Sequence, residues 1–123
     1  MKKTFKLLII EDNESLLRLM NHYFKKHYEV YATKNGLDAM NWLNKGSFPD
    51  LILLDMNMPI MSGERFLEGL KSSSFFQHIP VIVISSSTTQ ELSDKNIAVE
   101  HYFPKPFDPK ELNEKIQQML SIT

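Results

Sequence analysis

Five short apolar runs alternate with five stretches of helical periodicity, and this alternation leaves few folds open to a chain of 123 residues. The runs span residues 5–10, 28–32, 50–54, 79–84 and 98–103. Their length suits strands. Their continuous apolar content, clearest in Leu51-Ile52-Leu53-Leu54 and in Val81-Ile82-Val83-Ile84, suits strands covered on both faces. The intervening segments carry apolar residues at helical spacing. Leu16, Leu19, Met20, Tyr23 and Phe24 form such a stripe within residues 13–26, and Leu37, Met40 and Leu43 form another that ends near Gly46. Ser62 is placed to cap a third helix, with Phe66, Leu67 and Leu70 facing inward. Residues 88–95 make a weak fourth helix with little apolar face. Asp108-Pro109-Lys110-Glu111 combines a capping Asp, a Pro at the first helical position and a Glu three residues after the cap, and Leu112, Ile116, Met119 and Leu120 then face the sheet. Strand and helix in strict alternation imply right-handed βαβ units and a parallel sheet clothed on both sides, the doubly wound α/β class.

The length fits one domain over residues 1–123, and a hydrophobic fraction of 42% supplies a real core. Charge is nearly balanced, with 14 basic and 15 acidic residues, so nothing electrostatic calls for a nucleic-acid or membrane partner. The absence of cysteine excludes disulfides and thiolate metal sites, and His22, His27, His78 and His101 lack the spacing of a zinc site. No run approaches the roughly 18 apolar residues of a membrane span. The basic start Met1-Lys2-Lys3 is followed by too short an apolar segment for a signal peptide, so a cytoplasmic location is expected.

In an open parallel sheet, ligands bind beyond the carboxyl ends of the strands, near the point where strand order reverses. Here the first run ends in Glu11-Asp12, the third in Asp55 and the fourth in Ser85, while Lys105 follows the fifth. Each alone has a plain structural role. The acidic pair can begin a helix, Asp55 can form a turn before Asn57 and Pro59, Ser85 can end a strand, and Lys105 can be solvated. Their coincidence at one sheet edge is what makes a site. Three carboxylates crowded together repel one another unless a cation intervenes, and an all-oxygen donor set suits Mg²⁺. Lys105 adds a fixed positive charge. Such an arrangement fits phosphoryl transfer, with Asp55 as the nucleophile that forms an acyl phosphate.

With these residues in place, the chain resembles the receiver domains of two-component response regulators from about residue 5 to residue 120. The resemblance is carried by Glu11-Asp12, by Leu-Leu-Asp-Met-Asn-Met-Pro ending in Pro59 with Gly63 after it, by Ser85, and by Lys105-Pro106-Phe107. It implies a flavodoxin-like fold of five parallel strands in the order 2-1-3-4-5. It also implies Asp55 as phosphoacceptor, a metal held by Asp12, Asp55 and the backbone carbonyl of Asn57, and Glu11 acting mainly through water. Ser85 and Lys105 would bind the phosphoryl oxygens, and the Lys105–Pro106 bond would be cis. The switch would be Ser85 together with Tyr102, three residues before the lysine, altering a surface made by helix four, strand five and helix five. Leu17 would serve core packing, or else the docking of a phosphodonor helix.

The expected function is therefore that of a stand-alone phosphoacceptor module, monomeric, taking its phosphoryl group from a histidine kinase or histidine phosphotransfer protein and acting on a downstream protein partner. Such a module is not an enzyme beyond its own phosphorylation and dephosphorylation. Two alternatives are a receiver that binds its partner without phosphorylation, and an aspartyl phosphohydrolase. The latter needs a general acid two residues past the nucleophile, where this chain has Asn57.

Overall fold

A computed structural model describes residues 4–56, 62–94 and 100–120. The chain alternates β1 (Lys6–Ile10), α1 (Glu14–Phe24), β2 (Glu29–Thr33), α2 (Gly36–Asn44), β3 (Leu51–Asp55), α3 (Gly63–Lys71), β4 (Val81–Ser85), α4 (Thr89–Asp94), β5 (Tyr102–Pro104) and α5 (Pro109–Leu120). The strands form one parallel sheet in the order β2-β1-β3-β4-β5, the flavodoxin-like arrangement expected from the sequence. Strand order reverses between β1 and β3. There the crossovers leave to opposite faces and open a crevice at the carboxyl edge.

Alternation along the strands divides the core in two. Leu8, Ile10, Ile52, Leu54 and Val83 point to one face, where Leu43 of α2 and Phe66, Leu67 and Leu70 of α3 cover them. Leu7, Ile9, Leu53, Ile82 and Ile84 point to the other, beneath Leu17, Met20 and Phe24 of α1 and Leu112, Ile116 and Leu120 of α5. Every residue of β3 and β4 is buried, which is why these two runs show no polar alternation. Burial of a side chain the size of Phe24 or Phe66 contributes about 1.5–3 kcal/mol.

Local chemistry sets the helix boundaries. Asn13 caps α1 by accepting the Leu16 N–H at 3.0 Å, Asn35 caps α2 through the Asp38 N–H at 2.8 Å, and Ser62 caps α3 through the Arg65 N–H at 3.2 Å. At α4, Thr88 and Glu91 form a reciprocal capping box: the Thr88 hydroxyl accepts the Glu91 N–H at 3.1 Å and the Glu91 carboxylate accepts the Thr88 N–H at 3.2 Å. Asp108 accepts the Lys110 N–H at 3.0 Å to start α5. Gly46, past the end of α2, sits at φ 96°, a left-handed conformation that glycine adopts without strain.

Several expectations need correction. Leu19 is 55% exposed, while Leu17, placed at the margin of the α1 stripe by periodicity, is buried at 8%. The sheet thus takes Leu17, Met20 and Phe24, and Leu17 serves core packing, the first of the two roles open to it. Leu37 is 46% exposed, and α2 packs through Gly36, Ala39 and Leu43 instead. Its Trp42 stacks on Tyr31 of β2 with ring centroids 4.5 Å apart. The fourth strand starts at Val81, leaving Ile79 buried in the preceding turn, and α4 buries only Leu92. Residues 98 and 99 of the expected fifth strand lie outside the described residues. Among the described residues no helix is long and apolar enough to cross a membrane.

Candidate active site

Strand register assembles the site. β1 and β3 pair Ile10 with Leu54, so Glu11 and Asp55 come next, side by side. β4 and β5 pair Ser85 with Pro104, so Lys105 emerges one step beyond Ser85. The Lys105 N–H donates to the Ser85 carbonyl at 2.9 Å, which extends the ladder to the edge where the lysine turns inward, and the Lys105–Pro106 peptide is cis. Four residues scattered over nearly the whole sequence therefore meet at one edge because the strands run parallel and in register.

The cluster is buried and charged. Asp55 is 2% exposed and Glu11 1%, whereas Asp12 is exposed. Carboxylate oxygens of Glu11, Asp12 and Asp55 all lie within 4.8 Å of one another. Lys105 Nζ sits between two of them, 3.1 Å from Asp55 Oδ1 and 3.2 Å from Glu11 Oε1. Burial, then a hydrogen bond with Asp12 and the charge of Glu11, push the Asp55 carboxyl up to about 7, against the pull of Lys105. Burial also disfavours the Lys105 ammonium, but the hydrogen bond and charge of Asp55, followed by those of Glu11, outweigh it and hold the lysine above its ordinary pKa. Three acidic groups against one lysine leave a site that favours a further cation, and a small all-oxygen donor set fits a hard divalent ion such as Mg²⁺.

Ser85 is fully buried at the end of β4, where its Oγ accepts the Ser87 N–H at 3.0 Å. Tyr102 of β5 is half-buried, packs against the core on the α2–α3 face, and donates its hydroxyl hydrogen to the Ser87 carbonyl at 2.5 Å. The β4–α4 turn is thus tied both to Ser85 and to Tyr102. Asn57, expected to offer its carbonyl to a metal, lies outside the described residues.

The helix-starting role open to the acidic pair falls to Asn13 instead. Glu11 Oε2 accepts the Asn13 N–H at 3.0 Å and so acts just before the helix. In the sequence, Gly63 stands only as part of a motif. A Cβ there would lie 2.5 Å from Met56 Cα and 2.6 Å from the Asp55 carbonyl oxygen, so α3 can approach the end of β3 only at a glycine. A Gly at the first helical position, directly after the Ser62 cap, is the signal that could have found it. Beside the site, Leu16, Leu19, Lys105, Pro106 and Phe107 line an apolar cavity of about 350 Å³.

The family model of the response regulator receiver domain matches residues 7–117, and the chain belongs to that family of two-component signalling modules. It is 27% identical to the chemotaxis protein CheY1 of Helicobacter pylori, covering 94% of this chain and 96% of that protein. It is 29% identical to the sensor histidine kinase TmoS of Ectopseudomonas mendocina, covering 95% of this chain but spanning only 12% of the kinase. Among solved structures, Vibrio cholerae chemotaxis protein CheY4 superposes with a TM-score of 0.84 at 27% identity, covering 95% of this chain and 99% of that one.

Proposed function

We propose that the chain is a phosphoacceptor module in which Asp55 receives a phosphoryl group from a histidine kinase or histidine phosphotransfer protein in the cytoplasm. The observation that carries this reading is the buried Asp55 carboxylate held 3.1 Å from Lys105 Nζ inside a three-carboxylate cluster. Asp55 attacks the phosphorus, the donor histidine leaves, and an acyl phosphate forms. Mg²⁺, bound through Asp12 and Asp55 with Glu11 nearby and the carbonyl of Asn57 completing the set, would supply the charge that offsets the equatorial oxygens. Lys105 neutralises one of those oxygens, and Ser85, freed from the Ser87 N–H, donates its hydroxyl to another. The apolar cavity beside Lys105 suits the packing of a donor helix, with Leu16 and Leu19 as its α1 wall.

The switch follows from the same turn. Ser85 and Tyr102 both hold the backbone at Ser87, so a Ser85 hydroxyl drawn to the phosphoryl group alters the turn that Tyr102 grips. A downstream partner then reads α4, β5 and α5 as a population shift. Intact mass after incubation with acetyl phosphate and Mg²⁺ tests the core of this reading. The wild type is expected to gain one phosphoryl group, about 80 Da, with the gain lost in Asp55→Ala and in EDTA. A wild type that gains nothing would overturn it and favour a receiver that binds its partner without phosphorylation.

A further inference from the structure

The two members of the acidic pair are not equivalent. Asp12 is exposed, whereas Glu11 is buried and both of its oxygens are engaged by the protein: Oε1 lies 3.2 Å from Lys105 Nζ and Oε2 accepts the Asn13 N–H at 3.0 Å. Lys105 Nζ has Glu11 on one side and Asp55 at 3.1 Å on the other, while its stem runs along the apolar cavity wall beside Phe107. A lysine stem is long and flexible, and a single ion pair leaves its head free to swing. Two carboxylates on neighbouring strand ends confine it to one place.

We propose that Glu11 is a positioning residue for Lys105, a brace that holds the ammonium over Asp55 and ties its placement to the β1–α1 turn. The inference rests on the phosphoacceptor reading of Asp55 and divides the labour of the acidic pair. Asp12 would meet a cation from the open side, and Glu11 places the lysine.

The reach of Glu11 matters as much as its charge. Shortening it to Asp removes one methylene, about 1.5 Å of chain. The charge survives, but the shorter side chain cannot span from the Asn13 N–H to Lys105. Converting it to Gln keeps the length but turns one acceptor oxygen into a donor NH₂, which then faces either Lys105 or the Asn13 N–H. Glu11→Asp and Glu11→Gln therefore separate reach from charge, and both should release the lysine.

Two measurements test the brace. The first is the NMR order parameter of the Lys105 ¹³Cε–H bonds in the unphosphorylated protein without divalent ions. Lys105 is expected to be ordered in the wild type and to approach the mobility of exposed Lys110 in Glu11→Asp, with Asp55 still in place. The second is a double-mutant cycle on acetyl-phosphate labelling at saturating Mg²⁺. Glu11→Asp should lower the limiting rate by about tenfold at Mg²⁺ concentrations that calorimetry shows to saturate each variant, and should have no further effect in Lys105→Ala. A Lys105 as ordered in Glu11→Asp as in the wild type, or rate losses that multiply in the double variant, would overturn the proposal. A wild type that takes up no phosphoryl group would instead sink the phosphoacceptor reading, and the order parameter would still decide about the brace.

Discussion

Asp55→Asn is expected to stabilise the protein at alkaline pH, because burial disfavours the ionised form of Asp55. In the folded chain this carboxyl titrates near 7, against 3.8 for an unperturbed aspartate, with burial as the chief cause. The folded state therefore binds a proton that the unfolded state has released throughout the window between these values. The stability from protonated Asp55 is complete below about pH 4 and is lost as pH rises through 7. Roughly three pKa units at about 1.4 kcal/mol each set an upper limit of about 4 kcal/mol on the cost of the charge at pH 8 and above. The variant also removes one of the two negative charges that face Lys105, leaving that of Glu11, which returns part of that gain. A net stabilisation of about 1–3 kcal/mol at pH 8 is expected, shrinking to less than about 1 kcal/mol at pH 5, where the wild-type carboxyl is already neutral. Urea denaturation followed by circular dichroism, in EDTA at both pH values, reads the two differences directly. Mg²⁺ at ten times its Kd should then recover about 1.4 kcal/mol in the wild type at pH 8, and less in the variant. An Asp55→Asn protein no more stable than wild type at pH 8 would mean that Lys105 fully compensates the buried charge, and the electrostatic account of the site would fail.

Three other perturbations address how the site is held. Gly63→Ala places a methyl 2.5 Å from Met56 Cα, against backbone that cannot yield cheaply, and should cost about 2–3 kcal/mol; an unchanged urea midpoint would refute the close approach. Leu17→Ala should cost about 2–4 kcal/mol and Leu19→Ala less than about 0.5 kcal/mol, and equal losses would show that the phase of α1 is misassigned. Tyr28, whose hydroxyl donates to buried Asn113 of α5, has its phenol pushed up to about 12 by burial, with the neighbouring Tyr23 adding to the shift. Tyr28→Phe should therefore cost about 1–3 kcal/mol by orphaning Asn113, and ultraviolet titration of the wild type should show one phenol ionising near 12.

Much of this protein was determined locally. The apolar runs of β3 and β4 fix their own burial, because a strand covered on both faces has no wet side to advertise. Asp108 and Pro109 mark the start of α5, and Ser62 that of α3, because caps act within one turn. The candidate residues were legible too, since in a parallel sheet every residue that follows a strand reaches the same edge.

Other features depended on how the elements meet. Leu16, Leu17 and Leu19 are alike as apolar residues of α1, and the choice among them came from which side of α1 the sheet covers. The sheet takes Leu17, while Leu16 and Leu19 join Pro106 and Phe107 around a cavity whose other wall arrives some ninety residues later in the chain. Leu37 is apolar at helical spacing, yet α2 turns Gly36 and Ala39 to the sheet, because small residues let a helix sit close. The most consequential case is Glu11 and Asp12. In sequence they are two adjacent acids. Only the meeting of β1, β3 and the end of β5 buries one against Lys105 and leaves the other open to solvent, because burial is a property of what arrives from elsewhere in the chain.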